Sequence, residues 1–351
     1  MNSIRQHLAT GHVIPALPLA LDAEGTWSRR YQRALVRYYL EAGAGGIAVG
    51  VHSTQFEIRD PEVALFEPVL RLAAETIAAE ARAPVARIAG VCGDTEQALV
   101  EAELARSLGY DAALLSLAAL GEASEDHLIE HCRAVGEVIP LIGFYLQPAV
   151  GGRVLPLSFW RRFVTLPSVV AIKVAPFNRY QTGDVVRAVA ESGRDDITLY
   201  TGNDDNIIGD LLTPFPYGNG ERYFAGGLLG QWGVGTRAAV QLLREIQEAR
   251  REPTLARDWL KRNAALTDVN AAVFDAANGF TGCIPGILEV LRRQGLVPSS
   301  RTLNPKETLS PGQAGELDRV HTAYPEYCDD EFIETHRDSW LTEETPWNES
   351  S

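Results

Sequence analysis

Eight short apolar runs recur along the chain: Val13 to Leu19, Gly46 to Val49, Val85 to Ala89, Ala112 to Leu115, Leu141 to Tyr145, Val169 to Ile172, Thr198 to Thr201 and Tyr223 to Leu229. Each has the length of a strand. Between them lie stretches with apolar residues at helical spacing, among them Arg29 to Glu41, Glu62 to Ala81, Thr95 to Leu108, Ser124 to Val135, Leu157 to Phe163 and Gly233 to Arg250. Strand followed by helix followed by strand returns the chain to the same end of a sheet, so this alternation predicts parallel strands. Several runs are apolar at nearly every position, as a sheet covered on both faces requires. Eight units without a break predict an α/β fold, a (β/α)8 TIM barrel with a C-terminal helical appendage, over a doubly wound sheet.

Local signals fall in phase with that pattern. Asp94-Thr95 and Ser124 stand where helices should be capped, and Gly43 and Gly109 where they should end. The barrel is expected to occupy residues 1–250. A helical subdomain should follow over 251–322, with helices near Leu255 to Ala277, Ile284 to Gln294 and Gln313 to Val320. An acidic extension over 323–351 either packs or frays. A chain of 351 residues, 46% hydrophobic and 22% charged, has ample apolar material for one large core.

Charge narrows the partners. The formal net charge is −14, and Lys and Arg are dispersed, so neither nucleic acid nor an acidic membrane surface is an expected partner. No apolar run approaches the roughly 18 residues of a membrane span, and Met1 to His12 does not read as a leader. Cys92, Cys132, Cys283 and Cys328 lack the paired spacing of a zinc site or a disulfide framework, which points to a cytoplasmic location.

In a βα barrel, chemistry gathers at the C-terminal ends of the strands. There the fifth run delivers Tyr145 and the sixth delivers Lys173, a lone cation in an otherwise apolar strand. A desolvated amine loses its proton readily and becomes a nucleophile toward carbonyls. The alternatives are a lysine exposed in the following loop or held in a structural ion pair, and for Tyr145 a core or rim tyrosine. Asp204-Asp205 and Asp210 read as a turn and helix cap, not a metal cluster, and no metal or cofactor is expected.

Quoted in order, Leu21-Asp22-Ala23-Glu24-Gly25, Ala42 to Ile47, Ile88 to Val91, Gly109-Tyr110-Asp111-Ala112, the Tyr145 motif Gly143 to Pro148, Ile172-Lys173, Thr201 to Asp205 and Gly286-Ile287-Leu288 carry a resemblance. They resemble the pyruvate-dependent class I aldolases and lyases typified by dihydrodipicolinate synthase and N-acetylneuraminate lyase, from about Gly11 to about Val320. The resemblance implies that Lys173 forms a Schiff base with a 2-oxo acid and that Tyr145 shuttles protons. It also implies that Gly202 and the run Ala225 to Leu228, Gly227 included, line the pocket, and that the chain assembles as a homo-oligomer, dimer or tetramer.

Departures from the family fall on its substrate-choosing positions. Where the family has two small hydroxyl residues in its carboxylate cradle, this chain has Val51 and His52, followed by Ser53 and Thr54. Either Ser53 and Thr54 move into place, or His52 and backbone amides hold the anion. The tyrosine pair after the fourth strand is replaced by Ser116 to Gly121, and the family arginine after the Tyr motif by Val150, with Arg153 three residues on as a substitute. Without a guanidinium fork a dicarboxylate is poorly held, so dihydrodipicolinate synthesis itself is not expected. Val51, Leu117, Ala119, Leu120 and Val150 suggest a less polar acceptor. The expected activity is a carbon–carbon lyase or aldolase on pyruvate or another 2-oxo acid; the alternatives are a dehydratase of a deoxy keto sugar acid and a non-catalytic binding protein.

Overall fold

In the computed structural model, which describes residues 2–218 and 220–342, eight strands form one parallel sheet. They are β1 (Val13–Pro15), β2 (Gly46–Val49), β3 (Ala86–Val91), β4 (Ala112–Leu115), β5 (Leu141–Leu146), β6 (Val169–Ala175), β7 (Thr198–Thr201) and β8 (Gly226–Leu229). The order is β1-β8-β7-β6-β5-β4-β3-β2, and a parallel bridge from Ala16 to Ala48 joins its two ends, giving the expected (β/α)8 barrel.

A helix precedes the barrel, α1 (Asn2–Ala9), and one helix follows each strand: α2 (Arg29–Ala42), α3 (Phe66–Glu80), α4 (Thr95–Ser107), α5 (Glu125–Val138), α6 (Leu157–Phe163), α7 (Arg179–Glu191), α8 (Ile207–Leu212) and α9 (Thr236–Ala249). Asp94 and Ser124 accept backbone N–H bonds from Gln97 and His127, so both cap as their side-chain chemistry suggests. The helix α1 was not legible as an element, although Ile4 and Leu8 lie one turn apart. Both are buried with Ile14, Ile88, Leu114 and Ile142 inside the barrel, and Tyr200 donates to the Leu8 carbonyl at 2.8 Å. The amino terminus therefore plugs the end of the barrel opposite the strand C-termini.

Strand alternation divides the apolar residues into two cores. One fills the barrel; the other lies between strands and helices and includes Tyr39, Tyr145, Phe159, Trp160 and Ile172. Five strands differ from the sequence expectation, β3 and β5 by only one or two residues at their ends. The sheet leaves the first run at Pro15 instead of Leu19, where Pro18 has no N–H for a ladder. In the eighth run the sheet begins only at Gly226. The sixth strand continues to Ala175, so Lys173 stands within it and not at its end.

Beyond the barrel come α10 (Asp258–Val273), α11 (Cys283–Arg293), α12 (Gln313–Ala323) and α13 (Asp330–Trp340). The helices α10 and α12 pack together, and α10 also packs on α8, so the appendage leans over the C-terminal ends of the strands. The described part of the 323–351 extension packs on the barrel: Tyr38 donates to Asp329 at 2.6 Å, Arg37 donates to the carbonyls of Trp340 and Thr342, and buried Trp340 donates to Glu41. Residues 343–351 lie outside the described residues.

Candidate active site

Strand β6 reads Val-Val-Ala-Ile-Lys-Val-Ala, and every residue of it is buried. Ile172 and Val174 face the outer core while Ala171 and Ala175 face the inner one, so alternation turns Lys173 into the barrel. Its Nζ lies 4.5 Å from the centroid of the Phe144 ring, its direct neighbour across the β5–β6 ladder. On the other side, a Cβ on Gly202 would fall 2.6 Å from Lys173 Cε, so the lysine chain lies over a position that tolerates no side chain. Burial pushes the ammonium well below the usual lysine range, opposed by the charge of Asp204. Among the described residues Nζ has no hydrogen-bond partner, and no carboxylate lies in ion-pair contact with it.

Lys173 opens onto a cavity of about 70 Å³, room for several water-sized molecules at about 10–15 Å³ each. His52, Ser53, Gln147 and Asp204 are its other polar lining residues. The rest is apolar: Val51, Phe144, Leu146, Val150 and Phe177 from the barrel, and Phe274, Phe280, Cys283 and Ile287 from the appendage. Phe177 and Phe280 meet edge to face at 5.7 Å, and both hold left-handed backbone angles, with φ of 52° and 68°. Strained backbone at two bulky residues that meet at a cavity is the kind of conformation functional sites retain. A roomier surface groove between Trp27, Arg29, Phe66 and Arg71 shares no lining residue with this cavity.

Of the residues singled out in the sequence, Val51, His52, Ser53, Lys173 and Gly202 come together here. Ser53 Oγ is buried without a hydrogen-bond partner, a free hydroxyl beside the lysine cavity. Thr54 does not join it. Its hydroxyl donates to the Leu17 carbonyl at 2.7 Å and accepts the Gly50 N–H at 3.0 Å, fixing the turn after β2. Burial and the neighbouring Lys173 charge hold His52 down to about 4, so the ring is neutral near pH 7 and offers a hydrogen bond and no positive charge to an anion.

Three expected site residues fall outside the cavity. Tyr145 is the neighbour of inward-facing Phe144 and therefore faces out. Its ring packs against Trp160 at 5.3 Å and its hydroxyl accepts the Leu155 N–H at 3.2 Å. Its ring and the Lys173 side chain therefore lie on opposite faces of the pleat. Arg153 donates to the carbonyls of Leu120 and Ala123, which ties two loops together and turns its guanidinium from the cavity. At Gly227 a Cβ would meet the Trp232 ring at 2.7 Å, so this glycine makes room for a packed indole, not for a ligand. Leu117, Ala119 and Leu120 likewise lie apart from the lining residues, whereas Val51 and Val150 belong to it.

The principal residue that sequence reasoning missed is Asp204. It was read as part of a turn, and the turn is real: Asn203 accepts the Phe177 N–H at 3.0 Å and donates to Asp210, which also receives the Thr201 hydroxyl at 2.6 Å and pairs with Arg179. That buried network fixes the loop and leaves the Asp204 carboxyl on the cavity wall. Burial raises its affinity for a proton, against the charge of Lys173. The appendage aromatics were missed too, because nothing in α10 and α11 alone says which barrel end they cover.

Fold and site together define a class: parallel (β/α)8 proteins with a lysine amine buried on the sixth strand. The model of the Dihydrodipicolinate synthetase family matches residues 9–310, and the chain belongs to that family, whose members are pyruvate-dependent Schiff-base aldolases. It is 30% identical to N-acetylneuraminate lyase of Citrobacter koseri over 215 residues, covering 60% of this chain and 68% of that one. The Escherichia fergusonii N-acetylneuraminate lyase is 27% identical over the same shares. Among solved structures, YagE of E. coli K12, described in complex with pyruvate, superposes with a TM-score of 0.73 at 18% identity, covering 92% of this chain and 100% of that one. CdNal of Clostridium difficile, described in complex with mannosamine, gives 0.72 at 14%, covering 90% of this chain and 99% of that one.

Proposed function

We propose that this protein is a class I lyase or aldolase in which Lys173 forms a Schiff base with pyruvate or another 2-oxo acid, and that the group bonded to or leaving from C3 is largely apolar. The observation that carries the reading is a buried lysine amine with no hydrogen-bond partner among the described residues, lining a small cavity. Desolvation favours its neutral form, which attacks the C2 carbonyl; the carbinolamine loses water and leaves an iminium. The iminium accepts the electron pair of the C3–C4 bond as it breaks, giving an enamine that takes up a proton at C3. Hydrolysis then frees the 2-oxo acid and restores the amine.

Ser53 Oγ, unpartnered and beside the cavity, supports a role in receiving the substrate carboxylate, joined by a neutral His52 N–H. Gly202 serves by leaving the lysine chain its path. Phe177, Phe274, Phe280 and Ile287 support a poorly hydrated partner over a polyol, since buried hydroxyls would find few hydrogen bonds among them. Borohydride reduction in the presence of a panel of 2-oxo acids tests the Schiff base. Inactivation that requires both reagents is expected with pyruvate; no inactivation with any member of the panel sinks the reading. Condensation of the reactive acid with apolar aldehydes, followed by chromatography, tests the second half, and a preference for polyhydroxylated aldehydes contradicts it.

A further inference from the structure

The appendage reaches the Lys173 cavity through one short loop. Between the end of α10 and the start of α11, Phe274 and Phe280 line the cavity, while residues 276–279 between them are exposed. Edge-to-face packing on Phe177 alone would leave the Phe280 ring free to swing out with that loop. The group that closes the loop is Asp275, a buried carboxyl on left-handed backbone with φ of 56°.

Asp275 binds the loop from inside with all three of its oxygens. Its carbonyl accepts the N–H groups of Asn278 and Phe280, each at 3.0 Å. Oδ1 accepts the Asn278 side-chain amide at 2.7 Å, and Oδ2 accepts the Gly282 N–H at 3.0 Å and the Ser310 hydroxyl at 2.5 Å. Gln313 of α12 completes the knot: Nε2 donates to the carbonyls of Ala272 and Gly282 at 3.2 and 3.0 Å, and Oε1 accepts the Ser310 N–H at 3.1 Å. A Cβ on Gly282 would fall 2.1 Å from Gln313 Oε1 and 2.9 Å from Asp275 Oδ2, so the knot closes only around a glycine. Aspartate tolerates left-handed backbone and readily bonds its own loop. Phe280, at φ of 68°, has no such local reason, and its N–H bond to the Asp275 carbonyl helps hold it there.

We infer that Asp275 is a positioning residue for the choice of partner: it holds Phe280 over the cavity, and the apolar wall met by the group at C3 is complete only while this knot is closed. This rests on the Schiff-base reading above. Asp275 is not among the lining residues, and its bonds share no residue with the Asn203–Asp210 network that fixes the Lys173 wall. Its influence on the site therefore passes through the loop it holds. With the knot open, the Phe280 ring leaves Phe177 and water enters beside it, so an apolar partner loses the surface that favours it over a hydroxylated one. Lys173, Gly202 and Ser53 stay in place, and the 2-oxo acid binds and reacts as before.

Steady-state condensation of pyruvate with butanal or glyceraldehyde, across Asp275→Asn, Phe280→Ala and the double variant, tests this. Asp275→Asn keeps the side-chain shape and sets a donor among donors. It should raise KM for butanal about tenfold, with kcat and borohydride trapping of pyruvate within about twofold of wild type. The preference for butanal over glyceraldehyde in kcat/KM should fall by about the same factor. Because Asp275 acts through Phe280, adding Asp275→Asn to Phe280→Ala should raise KM by less than about twofold more. A further rise of about tenfold in the double variant, an unchanged KM in folded Asp275→Asn, or pyruvate trapping that falls as far as KM rises overturns the inference and leaves the Schiff base standing. If Asp275→Asn does not fold, Ser310→Ala decides: a KM for butanal about threefold higher supports the inference, and a wild-type KM overturns it. A wild type that traps pyruvate but condenses it with neither aldehyde also overturns the inference alone. A wild type that traps no 2-oxo acid removes the Schiff base itself, and the inference with it.

Discussion

The two walls of the Lys173 cavity are made differently. The β6–β7 wall carries Lys173, Gly202 and Asp204, placed by strand alternation and by a loop whose polar atoms bond to one another. The opposite wall carries Phe144 from β5 and Phe274, Phe280 and Ile287 from a helical appendage, with few polar atoms. In the proposed reading the first wall holds the lysine that reacts, and the second holds surface that would sort partners by polarity. On this division, reaction and choice of partner should be separable by mutation.

Lys173→Ala should remove the most, at least about 1,000-fold in turnover with no borohydride adduct, as expected when the nucleophile is deleted. Gly202→Ala comes next: its Cβ would sit 2.6 Å from Lys173 Cε, and displacing a nucleophile by about an ångström costs about 100-fold. Single-turnover adduct formation is the measurement. Phe280→Ala belongs to the other wall. It should raise KM for an apolar aldehyde about tenfold and leave pyruvate trapping within about twofold. If trapping by Phe280→Ala fell as far as by Gly202→Ala, the division would be wrong.

A smaller effect concerns His52. Its affinity for a proton in the fold is lowered to about 4 from an ordinary 6.5, so between those values the unfolded chain binds a proton that the folded one refuses. Stability should therefore fall as pH drops from about 6.5 toward 4, and denaturant titrations of His52→Gln should show that slope reduced by about one proton. Smallest is Tyr145→Phe, which loses one hydrogen bond to Leu155 and about 1 kcal/mol in stability.

The barrel was legible because period and composition agreed over long stretches. Lys173 was legible because charge in an apolar strand is rare. For Tyr145 the motif carries identity and spacing but not the face of the pleat: with Lys173 facing in and Phe144 across from it, Tyr145 faces out. That register comes from the β5–β6 pairing, which includes an irregularity between Leu141 and Ile142. Asp204 was hidden for the opposite reason, since an Asn-Asp-Asp turn has a sufficient structural explanation, and only the bonded network around Asn203 and Asp210 shows which carboxyl is left over. Phe274 and Phe280 depend on how α10 and α11 fold back over the barrel, a tertiary fact with no local signal.

The central claim is that the Lys173 amine is the covalent nucleophile, and peptide mapping after borohydride reduction with pyruvate tests it most directly. The account predicts a single carboxyethyl group, on the peptide containing Lys173, absent from Lys173→Ala. A stable adduct on Lys261 or Lys306, or one that persists in Lys173→Ala, would contradict it.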